Sequence, residues 1–250
     1  MDWNKLACDP HLRLDDLKLD GFYLWQDDRL FCFSVDAILL ADFVTVRRGD
    51  RVCDLCSGNG IIPILLCANT QAGHIDGVEL LEASWNLARH SVAFNHVQDR
   101  VEMHQLDLRQ LQQHFRPHSY QVVTCNPPFG EVGGGVVNMS REQYVARHEA
   151  ECTLEEIVCQ AAYLLAFHGR FALIHRPERL CDILCLMRKY GIEPKRLRMV
   201  HPRPGRRATM VLVEGSMGGR AQLTVEPPLY IHDEQGRDTP EIARIYRRRR

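Results

Sequence analysis

Four consecutive residues, Asn126-Pro127-Pro128-Phe129, combine the groups needed to hold a flat, weakly nucleophilic nitrogen. An amide oxygen and a backbone carbonyl can each accept a hydrogen bond from an NH2 group, and an aromatic ring can stack on the plane that carries it. Pro128 forces Pro127 out of the α region, so the loop is stiff before any ligand arrives. The tetrapeptide follows the run Tyr-Gln-Val-Val-Thr-Cys at 120–125, which reads as a buried strand. Alone, such a string also fits an ordinary turn with a core phenylalanine. Its neighbours in the chain decide between the two.

The second constellation is Asp54-Leu55-Cys56-Ser57-Gly58-Asn59-Gly60, placed on the first strand-to-helix turn of the main pattern. Glycines there let the backbone adopt positive φ and approach a ligand closely. Glu79, at the end of the next strand, is placed to accept from ribose hydroxyls, and Asp107, just past the third, to meet an adenine amino group. A dinucleotide would want a third glycine where this chain has Pro63, which counts against a pyrophosphate turn. S-adenosylmethionine, which carries no phosphate, fits better, with Asp54 serving its ammonium end. Gly58 and Gly60 by themselves only make a tight turn. Convergence of Glu79 and Asp107 on the same strand ends favours the cofactor reading.

Joined, the two sites describe methyl transfer. Accepting both N–H bonds of an aryl or amide NH2, through Asn126 Oδ1 and the Pro127 carbonyl, frees a delocalised lone pair for in-line attack, with Phe129 stacked on the acceptor. No general base is required, because the proton becomes acidic only after the methyl has moved.

The elements that must position these residues alternate strand and helix. Strands are expected at 51–56, 74–79, 101–104, 120–125, 170–175, 197–200 and 209–214, with helices at 61–68 and 82–95. Thr153-Leu154-Glu155-Glu156 is a capping box opening a helix to about 167, and Pro177 starts another to about 190. This predicts an α/β chain: a Rossmann-like, doubly wound, mainly parallel seven-stranded sheet with ligands at the C-terminal strand ends. Residues 1–45 read as a small N-terminal cap, with a hairpin in the stretch around Gly21 and Asp27-Asp28 and an apolar helix at 37–44. Residues 46–215 form the catalytic core and 216–250 a C-terminal extension with a basic tail.

With 250 residues, 45% hydrophobic, the chain suits one large decorated domain. Its formal net charge of -1 carries no global nucleic-acid signal, but acidic residues crowd the N-terminal stretch while Arg and Lys gather after residue 187. That asymmetry suits a basic face meeting phosphates as well as it suits solvated surface. Ten cysteines form no disulfide framework, and Cys53/Cys56 lacks a second pair for zinc, so packed thiols in a reduced cytoplasmic protein are expected, with no metal. Neither a signal peptide nor a run of membrane-spanning length is present. Two weaker pocket candidates are Arg147-His148-Glu149 and His175-Arg176-Pro177-Glu178-Arg179.

At these residues the chain resembles the class I S-adenosylmethionine-dependent small methyltransferases. More narrowly, it resembles the bacterial tRNA1(Val) (adenine-37) N6-methyltransferase family in its Gram-positive form. The likeness takes in Phe33-Ser34-Val35-Asp36-Ala37, residues 54–63, Gly77-Val78-Glu79, residues 124–129, Ala146-Arg147-His148-Glu149, 175–180, 186–195, Pro227-Pro228-Leu229-Tyr230 and Thr239-Pro240-Glu241-Ile242. It implies methylation at N6 of an adenine beside a tRNA anticodon, with Asn126, Pro127, Pro128 and Phe129 as catalytic loop. It also implies that Ser34 and Asp36 lie over the cofactor and that tRNA is the partner. The segment 130–140, with Gly133-Gly134-Gly135, reads as a mobile lid, and no membrane and no obligate protein partner are expected. The chain departs from the family at Cys56, where glycine is usual. A protein glutamine N5-methyltransferase, which handles a similar planar NH2, and a non-catalytic RNA-binding module of the same fold are the alternatives.

Overall fold

The computed structural model describes residues 9–19, 21–30, 32, 34–128 and 152–247, without the Arg247 side chain. Phe129, the 130–140 segment, Arg147-His148-Glu149 and the arginines 248–250 lie outside the described residues. Strands β3 (Arg51–Leu55), β4 (His74–Glu79), β5 (Val101–Gln105), β6 (Tyr120–Cys125) and β7 (Leu165–His175) run parallel in the order β5-β4-β3-β6-β7. Next to β7 lies β9 (Met210–Met217), antiparallel to it, and then β8 (Ile192–His201), antiparallel to β9 and so aligned with the rest. Seven long strands therefore form the mainly parallel sheet. Two short ones, β10 (Thr224–Val225) and β11 (Leu229–Tyr230), pair along the outer edge of β8 and bring the sheet to nine.

Helices cover both faces, which is why the central strands read as nearly unbroken apolar runs. One layer holds α1 (Val35–Phe43), α2 (Ile61–Asn69) and α3 (Glu82–Phe94) over Val52, Ile75, Val101 and Val122. The other holds α4 (Leu111–His114), α5 (Leu154–Leu164) and α6 (Leu180–Lys189) over Cys53, Leu55, Val123 and Phe171. Pro63 is tolerated in α2 because it sits in the first turn, where no intrahelical N–H is required. The final helix, α7 (Pro240–Arg247), buries Ile242 and Ile245 in the first layer.

The N-terminal hairpin joins β1 (Leu12–Leu19) to β2 (Phe22–Asp27), turning at Gly21 with φ 87°. It is fastened to α3: the Trp25 backbone N–H donates to Ser91 Oγ (2.9 Å), and the Tyr23 backbone exchanges hydrogen bonds with the Asn95 amide at 2.7 Å each.

Several boundaries differ from the sequence-based expectation. The helix opened by Thr153 does carry its capping box, but it ends at Leu164 rather than near 167, and β7 starts at once. Pairing of Leu165 with Tyr120 takes over residues whose own preference is helical. Strands β8 and β9 also extend well past 197–200 and 209–214, because each finds a full-length partner in the other.

Candidate active site

Asn126 follows directly on the last residue of β6, and β3 and β4 deliver the glycine turn and Glu79 at the same edge of the sheet. Asp54 is wholly buried at the end of β3. Its two oxygens accept from Thr124 Oγ (2.6 Å) and Ser57 Oγ (2.7 Å), which makes it the organiser of the turn. Burial pushes its carboxyl up to about 7, against the pull of those two hydroxyls, with the nearby Glu79 charge adding to the rise. Glu79, also buried, accepts from the Gly58 N–H and the Leu81 N–H, both at 2.8 Å, and so ties the glycine turn to the end of β4. Desolvation raises its carboxyl too, opposed by the backbone donors.

The turn depends on left-handed backbone. Gly58 has φ 56° and Gly60 φ 81°, and a Cβ on Gly60 would lie 2.9 Å from the Ala88 Cβ. Cys56 adopts φ 57° without being glycine, so the departure from the family pattern falls where an L side chain is strained. Asn59 is buried, and its Nδ2 has no hydrogen-bond partner among the described residues.

The other half of the candidate site is built around the Asn126 amide. Its Nδ2 donates to Asp36 Oδ2 at 3.2 Å, and Asp36, buried at the start of α1, accepts from the Ser34 hydroxyl through its other oxygen. That bond fixes which way the amide faces: Nδ2 is anchored, and Oδ1 is left buried and unpartnered among the described residues. Pro127 is buried beside it and Pro128 half-buried.

Asp107 lies apart from this group in its hydrogen bonding. It caps the short 3-10 turn Leu108–Gln110 by accepting from the Arg109 N–H (2.9 Å), and it grips the Arg109 guanidinium. That side-chain bond holds its carboxyl below the usual range. His175, at the end of β7, is buried; desolvation, helped by Arg179, lowers it to about 4. Its Nδ1 accepts from the Arg176 N–H at 2.8 Å. Two features were missed by sequence reasoning: the Asp36–Asn126 bond, and the part Thr124 plays in holding Asp54. Thr124 carried a local signal, a hydroxyl inside an apolar strand. The Asp36–Asn126 bond carried none.

Buried carboxylates beside glycine backbone, with no basic side chain bonded to Asp36, Asp54 or Glu79 among the described residues, suit a cationic ligand better than a phosphate. An orphaned donor (Asn59 Nδ2) and an orphaned acceptor (Asn126 Oδ1) mark where ligand polar atoms would complete the site.

A tRNA1(Val) (adenine(37)-N6)-methyltransferase of Yersinia pestis (strain Pestoides F) is 24% identical over 242 residues, covering 96% of both chains, and one from Yersinia pseudotuberculosis serotype O:1b matches equally. Among solved structures, a predicted O-methyltransferase from Agrobacterium tumefaciens superposes with a TM-score of 0.71 at 23% identity, covering 86% of this chain and 96% of that one. A geranyl diphosphate C-methyltransferase from Streptomyces coelicolor, solved with S-adenosyl-L-homocysteine, gives 0.53 at 12% identity over 72% and 74% of the two chains. The family model for the methyltransferase small domain matches residues 34–183, from Ser34 through the glycine turn and Asn126 into α6. The chain belongs to the methyltransferase small domain family.

Proposed function

We propose that this chain transfers a methyl group from S-adenosylmethionine to the exocyclic N6 of an adenine in RNA, a tRNA base beside the anticodon. The observation that carries the reading is the Asn126 amide, anchored through Nδ2 to Asp36 with Oδ1 buried and waiting for a donor. An NH2 group is the donor that Oδ1 and the Pro127 carbonyl can accept from together, which leaves the nitrogen lone pair free. The cofactor, when bound, supplies an electrophilic methyl on a sulfonium. Gly58, Asn59, Gly60 and Glu79 would hold its nucleoside and Asp54 and Ser57 the turn beneath it. Ser34 and Asp36 would lie over it, and Asp107 would meet the adenine amino group once shared with Arg109. Phe129 would stack on the acceptor.

An anticodon-loop base is unpaired or easily splayed, so presenting it costs little. Phosphates need cations, and the structure narrows which ones are free. Arg188, Lys189, Arg196 and Arg198 are paired with Glu193, Glu155, Glu214 with Glu226, and Glu241 respectively. Arg203, Arg206 and Arg207 are exposed on the turn between β8 and β9, with no carboxylate partner among the described residues. Because β8 runs with the parallel strands, that turn leaves the same sheet edge as Asn126. These three arginines, rather than Lys195 and Arg196, are the cations suited to grip RNA beside the cleft.

The test is nucleoside mass spectrometry of tRNA treated with purified protein and isotope-labelled cofactor. Labelled N6-methyladenosine is the expected product. Unlabelled tRNA alongside a labelled glutamine in a release factor would transfer the reading to protein N5-methylation.

A further inference from the structure

A second cluster of functional side chains lies along β4 and β5, beginning where β4 begins. His74 opens β4 and Asp76 follows on the same face; Glu102 and His104 lie on the adjoining face of β5, with Glu102 paired to Asp76 in register. Asp76 is buried, and its two oxygens have different surroundings. Oδ2 accepts from the Tyr120 hydroxyl at 2.8 Å and has an Arg51 guanidinium nitrogen at 3.4 Å. Oδ1 faces two imidazoles: His104 Nε2 at 2.7 Å and His74 Nε2 at 3.4 Å. One donor atom from each of His74, Asp76 and Glu102 lies within 4.8 Å of the others.

We infer that His74, Asp76, Glu102 and His104 form a binding site for a zinc-class divalent cation that ties β4 to β5. In a tetrahedral zinc site, bonds of about 2.0–2.1 Å to nitrogen and oxygen place neighbouring ligand atoms about 3.3 Å apart. The 3.4 Å from His74 Nε2 to Asp76 Oδ1 already has that spacing, and it is too long for a strong hydrogen bond. His104, now hydrogen-bonded to the same oxygen, would have to turn away from it to reach the ion as the fourth ligand. The Asp76 carboxylate has the supports that ligating carboxylates use, a hydroxyl and a guanidinium on the oxygen that would not coordinate.

The donor set decides the class of ion. Two imidazoles with two carboxylates suit Zn2+, Co2+ or Ni2+, whereas Mg2+ and Ca2+ take oxygen cages. Side chains of His74 and His104 are each about a quarter exposed and Glu102 is exposed, so the ion has a route in. His74, Asp76 and Glu102 lie in the first halves of their strands, with His104 reaching back to them from the far end of β5, and Glu79 stands at the other end of β4, so the cation stiffens the sheet and takes no part in the chemistry.

The full-length protein, stripped with chelator, would be titrated with Zn2+ in competition with a chromogenic chelator, and with Co2+ as a spectroscopic stand-in. The expected result is one equivalent bound at micromolar affinity or tighter, with a higher unfolding temperature. Cobalt should give visible d–d bands without intense near-ultraviolet thiolate absorption. His74→Ala with Glu102→Gln should weaken binding by about 100-fold or more and abolish the thermal shift, leaving turnover unchanged. Absence of binding below about 100 µM would overturn the site. So would stoichiometric binding that survives in the double variant, or a thiolate band, either of which assigns the metal to cysteines.

Discussion

Exchanging the two groups that fix the acceptor amide tests the site most directly. Asn126→Asp replaces the anchored Nδ2 with a carboxylate oxygen 3.2 Å from Asp36 Oδ2. Two unit charges at that separation, in an effective dielectric of about 20, repel by about 5 kcal/mol. This exceeds the cost of taking up a proton near neutral pH, so the pair would share one proton and titrate as a unit. The folded state then binds a proton that the unfolded chain does not. The variant's stability, relative to wild type, should therefore recover as pH falls through about 7 and decline as it rises. Turnover should drop by about 100-fold at pH 8 and recover partly by pH 6. Adding Asp36→Asn to the same chain reverses the polarity of the bond: the amide introduced at position 36 can now donate to the carboxylate at 126. A double-mutant cycle from urea unfolding at pH 8 should give a coupling of about 2–3 kcal/mol between the two positions. Additive penalties, or an Asn126→Asp protein whose stability and turnover follow the wild-type pH profile, would show that Asp36 does not hold this amide.

Other expectations can be checked alongside. At Cys56, glycine should be more stable than alanine by about 1 kcal/mol in urea unfolding, the reverse of the usual order, because φ is 57° there; an alanine variant as stable as the glycine one would remove the strain argument. Asp54 is raised from 3.8 to about 7, so its contribution to stability is fully favourable only below its unfolded value and is lost as pH rises through about 7. The stability advantage of wild type over Asp54→Asn should accordingly shrink between pH 5 and pH 8, by at most about 3 kcal/mol. His175 has the opposite sign, being lowered to about 4, but it is common to both proteins and cancels in the difference. Arg196→Ala should lower the unfolding temperature rather than RNA affinity, since Arg196 bonds Phe43 O, Thr45 Oγ and Glu214 and lies 4.3 Å over the Phe43 ring.

Local chemistry made much of this legible in the sequence. The strand leading to Asn126, the glycine turn between β3 and α2, Glu79 at the end of β4 and the capping box at Thr153 all depend on neighbours a few residues away. Features set by distant partners were not legible. The Asp36–Asn126 bond spans 90 residues, and nothing near either residue announces the other. The residues at 165–168 join β7 because Leu165 finds Tyr120, and β10 and β11 exist only because β8 offers an open edge. The His74–Asp76 and Glu102–His104 pairs have strand periodicity, which places each pair on one face, but only the register of β4 against β5 brings the two pairs together. Charge counting had the same limit: it grouped Arg196 with Arg206, whereas one is a structural clamp and the other a solvated cation.

The separation of charge across one sheet edge has a kinetic consequence. Asp36, Asp54 and Glu79 make the cleft unsuited to phosphate, while Arg203, Arg206 and Arg207 stand on a neighbouring turn at the same edge. An RNA acceptor would thus be gripped by its backbone outside the cleft and would insert only its neutral base. Phosphate contacts of this kind release counterions, so affinity falls steeply with salt. Hydrogen bonds from the base to Asn126 Oδ1 and the Pro127 carbonyl would form inside a buried site and be far less screened. Raising salt from 50 to 200 mM should therefore increase KM for tRNA by about 20-fold or more and leave the single-turnover rate at saturation within about 2-fold. Replacing the three arginines by alanine should flatten that salt slope by about 2–3. A salt effect confined to the saturated rate would mean that the phosphates reach the cleft itself, contrary to its acidic lining.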